Sequence, residues 1–206
     1  MDVKGAGQDL ASILFNRFGA KLYAMSIRAT IAGVTALLGL GLSVQALPQD
    51  NVQTREQVWL IAHNAERAEF GVPALRWSDA LEREARDWAE TLARDEVMRH
   101  SSYQERKGTG ENLWMGTAGY YRAEQMIAHF AAEKQYFAPG RFPQVSRTGD
   151  WSDVGHFTQI VWADTREVGC AMARGARYDF LVCRYYPSGN VMGRRIIPGE
   201  SSNSRS

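Results

Sequence analysis

Cysteine and histidine are scarce: 206 residues contain two of the first and four of the second. With Cys170 and Cys183 alone, a scaffold stapled by several bridges is excluded, and two thiols by themselves make a poor metal site. Net charge is also scarce. There are 24 Lys and Arg against 23 Asp and Glu, a formal +1. A protein that neutralises phosphates needs a basic excess, so nothing in the charge argues for nucleic acid as a partner. Long apolar runs are missing too. The one that stands out, Ile31 to Val44, has 14 residues without charge, too few to span a bilayer comfortably.

That stretch reads better as the core of a signal peptide. Lys21 and Arg28 precede it, and Val44-Gln45-Ala46 ends it with small residues where a signal peptidase cuts, before Leu47. Met25 to Ala46 has ordinary signal dimensions, so Met25 is a candidate start beside Met1. The alternative is an uncleaved anchor, which is the only membrane contact the sequence suggests. The expected location is secreted, extracellular or periplasmic. An exported chain meets an oxidising compartment, so a Cys170–Cys183 disulfide is expected.

Aromatics, by contrast, are plentiful: six Trp, eight Phe and eight Tyr, within a chain that is 45% hydrophobic and 23% charged. This is an ordinary globular balance, and the length suits one domain with extensions. The expected division is an extension with signal peptide or anchor over 1–46, a linker over 47–54, one domain over 55–193 and a polar tail over 194–206.

Within the domain, Val58, Ile61, Ala62 and Ala65 lie at helical spacing between Arg55 and Phe70, and Gly71-Val72-Pro73 stops the helix. Ser78 or Asp79 can cap a second helix with the stripe Leu81, Ala85, Trp88, Leu92. A polar loop follows over 99–110, then a third helix over 122–136 and an irregular segment over 141–153. Three runs rich in β-branched and aromatic residues come last, 156–162, 168–173 and 178–185, and read as strands. The last two form a hairpin. With its turn centred between Ala176 and Arg177, Cys170 stands opposite Cys183. Helices first and strands later give an α+β layered domain.

Three segments carry a resemblance: Gly155-His156-Phe157-Thr158-Gln159-Ile160-Val161-Trp162, Phe180 to Val191 with Cys183-Arg184-Tyr185-Tyr186-Pro187 inside it, and His100-Ser101 followed by Gly110-Glu111-Asn112-Leu113. In this order and spacing they resemble the CAP superfamily of cysteine-rich secretory proteins, antigen 5 and pathogenesis-related 1, over roughly residues 55–192. The helix-one segment His63-Asn64-Ala65-Glu66-Arg67 also fits. The resemblance implies a single CAP (SCP) domain, a three-layer α-β-α sandwich with a small antiparallel sheet. Two departures stand out. The chain lacks the additional cysteines of many relatives, and Arg184 stands where asparagine is common.

The resemblance also implies a cleft built from His100, Glu111, Glu133 and His156. These four are the candidate metal ligands, for zinc or another divalent cation, and Glu111 and Glu133 are the candidate catalytic groups. Glu133 has an independent signal, because it falls in a helical stripe with Met126, Phe130 and Phe137, and a carboxylate there must be paired or bind a cation. His129 reads as a surface histidine, and His63, with Asn64 and Arg67, as structural packing. Asn112 can orient Glu111 or cap a turn. No serine stands out beside His156.

Two imidazoles and two carboxylates can bind a metal, exchange protons without one, or shape a polar recess for a ligand. The first function that follows is a secreted, non-enzymatic binding module for a lipid, a sterol or a cell-envelope ligand, with Tyr120, Tyr121, Tyr136, Phe137 and Phe142 as candidate groove residues. The others are a metal-dependent hydrolase using the same four residues, and an envelope protein that acts through its surface.

Overall fold

Thr54 starts the first helix, α1 (Arg55–Glu69), by accepting from the Gln57 amide while the Gln57 side chain accepts from the Thr54 amide. This reciprocal cap satisfies two otherwise orphaned donors. A computed structural model describes residues 53–106 and 108–197, which belong to one compact unit, 50–206. The signal-like segment 1–46 lies outside the described residues, as do most of the linker and the end of the tail.

After α1 come β1 (Arg76–Trp77), α2 (Asp79–Asp95), α3 (Tyr103–Arg106), β2 (Gly110–Thr117), α4 (Ala123–Ala131), α5 (Gly155–Ile160), β3 (Glu167–Arg174) and β4 (Tyr178–Tyr186). Short 3-10 turns follow α4 (Ala132–Tyr136) and precede α5 (Trp151–Val154). The sheet order is β1-β3-β4-β2. β3, β4 and β2 are antiparallel neighbours, and β1 adds a parallel edge to β3.

Side chains alternate across a strand, and β4 shows how this builds two cores. Phe180 and Val182 pack with Ala85, Ala89 and Leu92 of α2. Leu181, Cys183 and Tyr185 pack on the opposite side with Trp59, Phe130 and Phe157. One helix therefore covers one face of the sheet, and α1, α4 and α5 cover the other, giving three layers. The hairpin register pairs Cys170 with Cys183, and the two form a disulfide.

Four expectations are corrected. Residues 156–162 are not a strand: Gly155–Ile160 is helical, and Phe157, Ile160 and Val161 are buried at i, i+3 and i+4. Both periods fit so short an apolar run. Gly110–Thr117, of which only Gly110 fell in the expected polar loop and the rest had no expected element, is the edge strand β2. The buried stripe of α1 is Trp59, His63 and Arg67, while Ile61 is 52% exposed. The apolar residues misplace the face because His63 and Arg67 find buried hydrogen-bond partners. Finally, the expected polar tail over 194–206 is not polar from its start. Phe142 N–H donates to Arg194 O, and Ile196 and Ile197 enter the core.

Candidate functional site

Glu111 and Asn112 are adjacent on β2, so they project from opposite faces of the sheet. Glu111 stands on the α2 side, with its side chain fully buried. Its Oε1 accepts from His100 Nδ1 at 2.6 Å and from Ser101 N at 3.1 Å, and its Oε2 accepts from Ser101 Oγ at 2.8 Å. Across the ladder, Glu111 pairs with Arg184, whose Nη1 lies 3.2 Å from Oε2. Burial alone would raise the Glu111 pKa. His100, Arg184 and Ser101 outweigh it and hold the carboxyl below its usual range.

The second histidine is held from the other face. Glu133 Oε1 accepts from His156 Nδ1 at 2.5 Å, and Oε2 accepts from the His156 and Phe157 amides at 2.8 and 3.0 Å. One carboxylate thus orients the imidazole and caps the first turn of α5. The ring also stacks on buried Phe130, with centroids 4.8 Å apart. Carboxylates only accept, so Nδ1 of each imidazole is the donor, and in the neutral ring this leaves the lone pair on Nε2.

A directed relay supports this half. Asn112 Nδ2 donates to His156 O at 3.0 Å and to Tyr185 Oη at 3.1 Å. Tyr185 donates to His63 Nε2 at 2.8 Å, and His63 Nδ1 donates to Trp59 O at 2.7 Å. Burial pulls His63 down to about 4, so it is neutral, and burial pushes the Tyr185 phenol well above its usual range. Arg67 fixes the far end of α5 by donating to Ile160 O, Trp162 O, Thr165 O and Pro73 O.

His100 and His156 line one cavity of about 860 Å³, together with Glu111, Asn112, Gln159 and Asn190. Three exposed apolar side chains also line it: Tyr103 is 73% exposed, Met192 65% and Trp151 42%. Among the described residues, neither imidazole hydrogen-bonds a serine or cysteine. Thr158 is buried and donates to Asn190 Oδ1 and Gly155 O.

The sequence reading anticipated His100, Glu111, Glu133 and His156 as a group, and the structure brings them together as two His–Glu pairs. His63 is packing, as expected, and His129 is exposed. Asn112 neither orients Glu111 nor caps a turn; it holds His156. Ser101, Tyr185 and the Arg184–Glu111 contact were missed. Of the aromatic groove residues, Phe137 and Phe142 are buried in the core, and Tyr121 packs edge-on against Trp114 and Tyr120. Phe142 alone of the five lines the cavity. Among the described residues, one cluster places three ligating atoms within 4.8 Å of one another: His63, Cys170 and Cys183. The disulfide removes both thiols as ligands.

The three-layer α-β-α domain is the fold that the sequence motifs imply. The model of the CAP family, the cysteine-rich secretory protein family, matches residues 60–185, and the chain belongs to that family. Pathogenesis-related protein 1C of Nicotiana tabacum is 36% identical over 146 residues, 70% of this chain and 82% of that protein. Golgi-associated plant pathogenesis-related protein 1 of Homo sapiens is 34% identical over 135 residues, 65% of this chain and 82% of that protein. A crystal structure of NaASP2 with Zn2+ aligns with a TM-score of 0.61 and 25% identity, over 74% of this chain and 90% of that one. Venom allergen-like protein 4 of Schistosoma mansoni shares the fold, with a TM-score of 0.57 and 17% identity over 73% of this chain and 97% of that one.

Proposed function

We propose that this protein is exported and acts as a ligand-binding module whose cleft holds a divalent cation between His100 and His156. One observation carries the reading: each imidazole donates its Nδ1–H to a carboxylate, which commits Nδ1 and leaves Nε2 as the ligating atom of two residues that line one cavity. Carboxylate-oriented imidazoles are the usual preparation for metal ligation. Nitrogen donors suit zinc, copper or nickel, and the related NaASP2 was crystallised with Zn2+.

Glu111 and Glu133 then serve as positioning groups rather than as ligands or catalysts. Every oxygen of both already accepts at least one hydrogen bond, and the Glu111 side chain, although beside the cavity, has no exposed surface. This favours binding over a metal-dependent hydrolase, because a general base must reach the substrate or its water. A bound cation supplies a Lewis-acidic point for an anionic or carbonyl group. The cavity volume is that of a small-molecule site. A lining that mixes polar groups with exposed Tyr103, Trp151 and Met192 fits an amphiphile, such as a lipid, a sterol or a cell-envelope component.

Calorimetry with zinc tests the reading. About one equivalent should bind, and the His100→Ala/His156→Ala double variant should not bind it. A folded parent that takes up no zinc overturns the metal assignment.

A further inference from the structure

Arg184 is buried beside a carboxylate yet leaves two of its donors unused. It is 2% exposed, and its Nε and Nη1 are buried without hydrogen-bond partners. Burying a guanidinium is costly unless its charge is compensated and its donors are used. The chain tolerates this at the position that faces Glu111 across the β2–β4 ladder, with Nη1 3.2 Å from Oε2.

The two halves of the cleft differ on this point. Glu133 faces two backbone amides, His156 N and Phe157 N, at the start of α5. Glu111 has one backbone amide and one serine hydroxyl besides His100, and its side chain is fully buried. Arg184 Nη1 lies against Oε2, the oxygen that His100 leaves free, so the guanidinium braces the carboxylate whose Oε1 holds the imidazole.

We infer that Arg184 is a positioning residue of the cleft: through Glu111 it fixes His100 as the Nδ1–H tautomer, with Nε2 turned to the cavity. Where this touches metal affinity it rests on the zinc reading above; the tautomer does not. The role is separable from general packing because His156, held by Glu133, is an internal control in the same molecule.

The experiment compares Arg184→Met with Arg184→Lys in the metal-free protein, using long-range 15N–1H correlation of the imidazoles at pH 8, and then measures zinc affinity. In the parent, both histidines should show the Nδ1–H tautomer. In Arg184→Met, His100 should move to a mixture of tautomers while His156 is unchanged, and zinc affinity should fall about tenfold, the usual effect of losing an outer-shell partner. Arg184→Lys restores the charge and should keep the parental tautomer, with affinity within about threefold. Arg184→Gln is a second charge-free arm should the Met variant not fold. An unchanged His100 spectrum in a charge-free variant overturns the inference, as does a parallel shift of His100 and His156. If the parent binds no zinc, the metal reading fails, and the tautomer result still decides the role of Arg184.

Discussion

Glu111 and Asn112 are neighbours in the chain and serve opposite sides of the sheet: Glu111 holds the His100 ring on the α2 face, and Asn112 holds the His156 carbonyl on the other. Because β2 is an edge strand, both side chains reach the cleft from one element. The site is therefore assembled on a strand that contributes one residue to each half.

Glu111→Gln should be costly in two ways. It removes the nearest counter-charge of the buried Arg184 and leaves only the more distant Glu84 and Glu105, which should lower stability by about 3 kcal/mol. It also weakens the hold on His100, so zinc affinity should drop about 10–100-fold. Urea unfolding and zinc calorimetry on the same preparation separate the two effects.

Glu133→Ala removes the acceptor of the His156 and Phe157 amides. Those two amides should lose hydrogen-exchange protection while the β3–β4 amides keep theirs. Stability should fall by about 1–3 kcal/mol, the range for buried donors left without partners. Equal loss of protection across the sheet would contradict a local capping role.

His63 gives a pH signature. Its folded pKa lies at about 4, below the ordinary 6.5, so between these values the unfolded chain binds the extra proton. Its contribution is complete above pH 6.5 and is lost as pH falls toward 4. The size is up to about 3 kcal/mol. The parent should show this slope across pH 4–6.5, and His63→Gln should lack it. Stability curves of the two proteins that run parallel over that window would refute the assignment.

Arg67→Met should destabilise the protein by at least about 3 kcal/mol, since the carbonyls of Ile160, Trp162, Thr165 and Pro73 lose their shared donor. Chemical denaturation checks the magnitude. A loss within about 0.5 kcal/mol, the usual range of a surface substitution, would rule out the clamp.

The helices were legible wherever apolar spacing and caps agreed. Ser78 caps α2, and Leu81, Ala85 and Leu92 are buried, as the stripe predicts. The hairpin was legible because its turn sits between two apolar runs, which fixed Cys170 opposite Cys183. Residues 156–162 were misread because aromatic and β-branched content outweighed a spacing that also fits a helical turn, and the cap that selects the helix comes from Glu133, 23 positions earlier. β2 was hidden because Glu111 and Asn112 look like loop residues and are both buried. Periodicity assumes that buried means apolar, and it fails where a site places polar side chains inside. The four cleft residues were found through the family motifs. Glu133 also showed a signal of its own, a carboxylate inside an apolar stripe. Nothing local marks Arg184 or Tyr185 as partners of the site.

The β2–β4 ladder pairs Glu111 with Arg184 and Asn112 with Cys183. A slip of one residue inverts every side chain of a strand with respect to the sheet faces. Slipped one way, Glu111 would confront the Tyr185 phenol and the His156 carbonyl while Gly110 faced Arg184; slipped the other way, the Asn112 amide would meet Arg184 and the His100 imidazole while Glu111 met Gln159. Most backbone hydrogen bonds of the sheet could re-form in that arrangement, yet neither histidine would be correctly held. Strand registry and cleft competence are thus a single property of this molecule, and a chain misaligned on β2 would retain its secondary structure without having a site.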